Sequence, residues 1–201
     1  MNETFAHGGI GEEDKLRADW YGLLARLLSD TPDERTLHLL REFEGDETEL
    51  GQAIETLAAA ARVARVDSLR DEYFTLFVGV GQSELTPYGS YYLTGFLNEK
   101  PLARLRGDMA RLGIARADGV ALPEDHVAAL CEMMSGLITG AFGRAASLAE
   151  QRQFYDSHIG CWAPRFFEDL ERSKSAAFYM PVGTLGRLFM AIESQAFDMA
   201  A

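Results

Sequence analysis

L-P-E-D-H-V-A-A-L, residues 122–130, reads as the mouth of a buried helix. Pro123 suits a first helical turn, because an N–H at that position has no helical partner to lose. Beyond it Leu130, Met134, Leu137, Ile138 and Phe142 recur at three- and four-residue steps, which lays one apolar stripe along a helix. The same stretch gathers Glu124, Asp125 and His126. Carboxylates in a first turn meet partial positive charge, so one reading is a helix start that caps and solvates. A metal site, an acid/base pair and a surface that reads another molecule stay open beside it. His126 lies four residues before Leu130, which places its imidazole at the border of core and solvent. A neighbouring carboxylate can orient that ring or hold its proton.

Outward from this stretch the helical pattern continues in both directions. A helix begins near Glu12, with Leu16, Trp20, Leu23, Leu24, Leu27 and Leu28 on one stripe. Thr31-Pro32-Asp33-Glu34 is a helix start, with Thr31 as cap and Glu34 completing a capping box. Asp46 and Asp67 cap the two helices that follow, and Gly79 and Gly81 end the second of them. A polar loop, residues 82–87, leads to Tyr88, Tyr91, Tyr92 and Phe96. Pro101 starts a helix that stops at Gly113, and residues 114–121 connect it to Pro123. One long helix is expected from Ser147 to Arg172, bent at Pro164, and a last one from about Val182 to Phe197. No alternating strand pattern and no fixed-period repeat occurs. The expectation is an all-α, single-domain bundle of about eight to ten helices over residues 12–201, behind a loose leader, residues 1–11.

Composition narrows the function. The 201 residues make one domain, and 47% hydrophobic residues supply a core without disulfides or metal. Nineteen basic against 31 acidic residues leave a net charge of −12. Nucleic acid and anionic membrane surfaces need a basic footprint, so both are disfavoured. An acidic surface suits solubility or a basic partner. Cys131 and Cys161 form no C-x-x-C, and their apolar neighbours predict buried free thiols in a reducing compartment. The first residues carry no secretory pattern, and no apolar run reaches membrane length. A soluble, cytoplasmic protein is expected.

Sites with defined chemistry are poorly represented. His158 and Cys161, three apart, can share a helix face, but with a distant Asp-His they make a thin ligand set for metal. No nucleophile elbow, phosphate-binding loop or dinucleotide fingerprint occurs. The aromatic residues form a second constellation. Tyr73, Phe74 and Phe77 precede the 82–87 loop, and Pro87, Tyr88, Tyr91 and Tyr92 follow it. Core packing is the common fate of such rings; tyrosines beside a proline loop also line grooves, and with carboxylates nearby they suit an apolar and cationic ligand.

Three segments together resemble the TorD/DmsD family of redox-enzyme maturation chaperones. They are Y-F-T-L-F-V-G-V-G (73–81) continuing into P-Y-G-S-Y-Y (87–92), P-E-D-H (123–126), and F-Y-D-S-H-I-G-C-W-A-P-R-F (154–166). The order and spacing fit from about residue 12 to 197. Tyr73 and Tyr88 stand where tryptophan is frequent in the family, and Leu122 where glutamate is common. The resemblance implies a non-enzymatic, cofactor-free, metal-free helical chaperone. Its partner would be the precursor of a molybdenum or tungsten oxidoreductase, held by its twin-arginine leader, its body or both, and kept from export until mature. Overall resemblance, not any residue, leans towards a formate dehydrogenase as client. The implied peptide site comprises Asp125, His126 and Glu124 with Tyr73, Leu76, Phe77, Pro87, Tyr88, Ser90 and Tyr91. Arginines of the leader would meet Asp125 or Glu124, and its apolar body would lie on Leu76, Phe77, Tyr88 and Tyr91. A GTP-binding member of the same fold is the alternative. Monomer and domain-swapped homodimer are both implied, with 79–90 or 113–122 as the swap hinge.

Overall fold

A computed structural model describes residues 10–81, 83–116 and 123–200. Most of the expected leader, and residues 117–122 of the second expected hinge, lie outside these. Among the described residues the chain forms ten α-helices and one short π-helical segment. The helices are α1 (Glu12–Ser29), α2 (Glu34–Arg41), α3 (Glu49–Val63), α4 (Val66–Tyr73), α5 (Gly89–Thr94), α6 (Lys100–Leu112), α7 (Val127–Thr139), α8 (Leu148–His158), α9 (Ala163–Glu171) and α10 (Tyr179–Met199). Phe74–Val78 continues α4 as the π segment. The all-α expectation and its helix number hold.

Helix starts fall a few residues from their expected places. Asp33, not Thr31, caps α2, its carboxylate accepting from the Thr36 amide at 2.8 Å. Thr48 caps α3 through the Gly51 amide, while Asp46 holds Thr48 from outside the helix. Asp67 lies within the first turn of α4 and makes no cap. The single helix expected over 147–172 is two: α8 opens on a complete Ser147–Glu150 capping box, the chain breaks at 159–162, and Pro164 sits in the first turn of α9. Proline there marks a beginning rather than a bend.

The apolar stripes meet in one core. α1 lies along α7, and α10 packs on α9 and α3. Tyr21, Leu24 and Leu27 of α1, Leu130, Cys131 and Met134 of α7, and Leu185, Phe189 and Met190 of α10 are buried. Two glycines let α9 approach α10: a Cβ on Gly186 would strike the Phe167 ring, and one on Gly183 would meet the backbone of Glu171. Cys161 departs from expectation, being exposed while Cys131 is buried.

Two carboxylates tie the aromatic segment and the loop after it to the connection between α9 and α10. Glu72 accepts from the backbone amides of Ala177, Phe178 and Tyr179 at 2.8, 3.2 and 2.9 Å. Glu84 accepts from the Ser173 hydroxyl at 2.5 Å and the Lys174 amide at 3.1 Å. The loop after the π segment is itself anchored, since the Leu85 amide donates to the Leu76 carbonyl at 2.8 Å.

Candidate functional site

Segments 87–90 and 123–127 pair as a short antiparallel bridge centred on Tyr88 and His126. The Gly89 amide donates to the Asp125 carbonyl, and the Val127 amide to the Pro87 carbonyl, both at 2.9 Å. Asp125 then reaches across: its Oδ2 accepts from the Ser90 amide at 2.7 Å. Since Tyr88, at the N-cap of α5, offers no side-chain oxygen to the helix, Asp125 caps α5 from another part of the chain. The other oxygen, Oδ1, and the Ser90 hydroxyl are buried with no hydrogen-bond partner among the described residues.

Neither Glu124 nor Asp125 lies in the first turn of α7, contrary to the capping expectation; both occupy the turn before it. His126 is the cap, its Nδ1 accepting from the Ala128 amide at 3.2 Å, which leaves the proton of the neutral ring on Nε2. The ring is 4% exposed, inside the core rather than at its border, and burial lowers its pKa to about 4. Tyr88 meets it edge-on at 5.0 Å. The Tyr88 hydroxyl titrates above its ordinary range, through burial and then through the nearby Asp125.

The third segment closes against this bridge. The Trp162 indole donates to the His158 carbonyl at 2.7 Å and lies so close to Gly89 that a Cβ there would come within 2.9 Å of its nitrogen. Tyr92 packs on Trp162 and Phe166 at 5.4 and 5.9 Å. Phe77 continues the ring cluster to Phe166 and Tyr179, and Tyr73 joins it through Phe77. The Tyr73 hydroxyl, raised to about 12 by burial, donates to the Leu28 carbonyl. The structure therefore brings all three motif segments into one hub.

The ten expected site residues divide by accessibility. Asp125, His126, Leu76, Pro87 and Ser90 are buried. Tyr73, Phe77 and Tyr88 are half-buried, and Tyr91 is exposed. Glu124 stands apart, accepting from the Arg106 guanidinium at 2.8 and 3.1 Å and facing Arg116 at 3.5 Å. Burial disfavours its charge, but the arginines outweigh that and hold its pKa below the ordinary range. His158 and Cys161 do not form a ligand pair: Nε2 of buried His158 lies 2.6 Å from Asp108 Oδ2, whereas Cys161 is on the surface. Burial lowers the His158 pKa despite the carboxylate, so the neutral ring donates to Asp108. Among the described residues no three His, Cys, Asp or Glu side chains cluster as metal ligands.

A groove of about 380 Å³ opens beside the hub, between residues 83–86, α5 and α9. Tyr91 and Tyr92 line it with Glu84, Arg165 and Asp169, and the Tyr92 hydroxyl donates to Asp169 at 3.1 Å. Asp169 escapes the sequence reading, and Arg165 enters it only inside the third motif, with no role at the site. Their one signal is position, on the helix that begins inside the third motif.

Comparison with known proteins bears on the family and the fold. The family model described as the nitrate reductase delta subunit matches residues 43–168, well over half of the chain. Chaperone protein TorD of Vibrio cholerae serotype O1 is 26% identical over 137 residues, 65% of this chain and 62% of the relative, so that match spans less than two thirds of the relative's length. Chaperone protein TorD of Aliivibrio salmonicida is 24% identical over 190 residues, covering 84% of this chain and 88% of the relative. A solved structure from Archaeoglobus fulgidus, described as a candidate redox enzyme maturation protein, is 18% identical; its TM-score is 0.58 over 94% of this chain and 99% of that one, a likeness of fold. With its three motif segments gathered in one hub and the family model laid across them, the chain belongs to the TorD family of redox-enzyme maturation chaperones.

Proposed function

We propose that the protein is a cytoplasmic chaperone that holds the precursor of a molybdenum or tungsten oxidoreductase through its twin-arginine leader, and releases it once the cofactor is in place. The observation that carries this is the groove beside the hub. Its aromatic wall, Tyr91 and Tyr92, stands next to two carboxylates, Glu84 and Asp169, with Arg165 the one cation among the described residues of the lining. Exposed apolar side chains, including Phe74, Val78, Leu93 and Phe96, flank it in sequence on both sides. An apolar leader body lies on the rings, and its arginines meet the carboxylates through paired donors.

Burial sets the roles of the remaining residues. Asp125 and His126 are 3% and 4% exposed, so they act from behind, holding α5 and α7 where Tyr88 and Tyr91 meet the leader. Glu124 is occupied by two arginines, and a leader arginine reaching it would displace one of them. The family resemblance leans towards a formate dehydrogenase as client.

A fluorescent leader peptide titrated into the wild type tests this. Tyr91→Ala and Asp169→Asn should each weaken binding about tenfold, the scale of one good contact. Asp125→Asn should weaken it while also lowering the melting temperature. Unchanged affinity in the Tyr91→Ala/Asp169→Asn double variant, with a native melting curve, would remove the groove from the proposal.

A further inference from the structure

Away from the hub, α1, α2 and α3 frame a second groove of about 750 Å³, against about 380 Å³ for the one beside Tyr91. Trp20 and Phe43 form its floor, edge to face at 6.2 Å. Leu16 and Leu39, 58% and 48% exposed, stand on its lip. Large apolar side chains gathered and left open in this way mark an interaction surface.

Two further observations define what fits. The rim carries exposed Asp19, Glu42 and Glu44 against one cation, Arg26. Gly22 lies on the groove in the interior of α1, where glycine costs about 1 kcal/mol relative to alanine. A Cβ there would meet only Ser135 Oγ, at an ordinary 3.9 Å. Packing within the fold does not require this glycine, and its bare backbone admits the close approach of another chain. We infer that this groove docks a helical segment of a partner protein whose apolar ridge is flanked by lysine or arginine. The surface is separate from the leader groove, and the inference stands without that reading.

The test uses the full chain and a labelled helical peptide of leucine and lysine, with leucines at i, i+3, i+4 and i+7, beside a leucine–glutamate counterpart. Fluorescence anisotropy should show saturable binding of the lysine peptide, weakened as salt rises from about 0.05 to about 0.3 M. Gly22→Leu, which fills the groove at a site with room, should keep or raise the melting temperature and lose at least about tenfold in affinity. The Leu16→Gln/Leu39→Gln pair should lose a similar factor, and Ile192→Gln, an exposed apolar residue on α10 that lines neither groove, none. Four results would overturn the inference: no saturable binding to wild type, equal binding of the glutamate peptide, full affinity in folded Gly22→Leu, or an equal loss of binding in Ile192→Gln. Sedimentation showing a wild-type dimer that Gly22→Leu converts to monomer would overturn it as well, by making a second copy the occupant.

Discussion

Asp125 and His126 are neighbours in sequence that complete different helices. Asp125 caps α5, 35 residues upstream, and His126 caps α7, which it begins. Their residue types were legible as a helix mouth with surplus ionisable groups. Their burial was not, because it depends on Tyr88 and Ser90, which sequence separation hides. The folded pKa of His126 lies near 4, below the ordinary 6.5. The charged ring is therefore favoured in the unfolded chain. The resulting stability is fully present above pH 6.5 and is lost as pH falls through about 4. The loss amounts to about 3 kcal/mol at most. Melting curves of wild type and His126→Asn between pH 7 and 4 should converge as pH falls, since only the wild type must protonate a buried ring. A pH-independent gap between them would contradict this. Imidazole nitrogen spectra at pH 5.5 should show the ring neutral, with its proton on Nε2.

At the scale of elements, apolar periodicity gave the helices, and their ends were the weaker part. Segments 31–34 and 46–48 each offer several capping oxygens, and the one whose side chain meets a free amide of the first turn wins. The break between α8 and α9 has a packing cause: Trp162 turns in to donate to His158 and to cover Gly89, which a continuous helix would not allow. The π segment left no signal, since Leu76 and Phe77 simply continue the apolar stripe of the helix before it. Packing of α9 on α10 rests on the glycine notch. Gly186→Ala would drive a methyl into the Phe167 ring and should cost about 1–3 kcal/mol, read as a lower urea midpoint with unchanged slope. The double variant Gly186→Ala/Phe167→Leu should recover part of that loss.

At the scale of the molecule, the charge of −12 was legible from composition, and its placement was not. Tyr92 and Asp169, 77 residues apart, meet in one groove, while Asp19 and Glu44 border another. The sequence reading supplied the aromatic wall of the first groove and missed its charged side, because α9 reaches it only through the fold. The second groove draws on residues that read singly as core stripe and surface. Among the described residues no helix is long and apolar enough to cross a membrane.

The grip of Glu72 on three successive amides makes the start of α10 a remote gauge of the aromatic segment. Those amides can exchange with deuterium only when α4 parts from α10, so their exchange rates report how often the aromatic segment that begins on α4 loosens. Glu72→Gln should speed exchange at Ala177, Phe178 and Tyr179 while leaving the amides of α7 protected. A leader peptide that reshapes the π segment should change the same three rates without touching them. A peptide that settles on a rigid wall should leave them as they were, so mass spectrometry of one short fragment can separate a chaperone that yields to its client from one that waits for it.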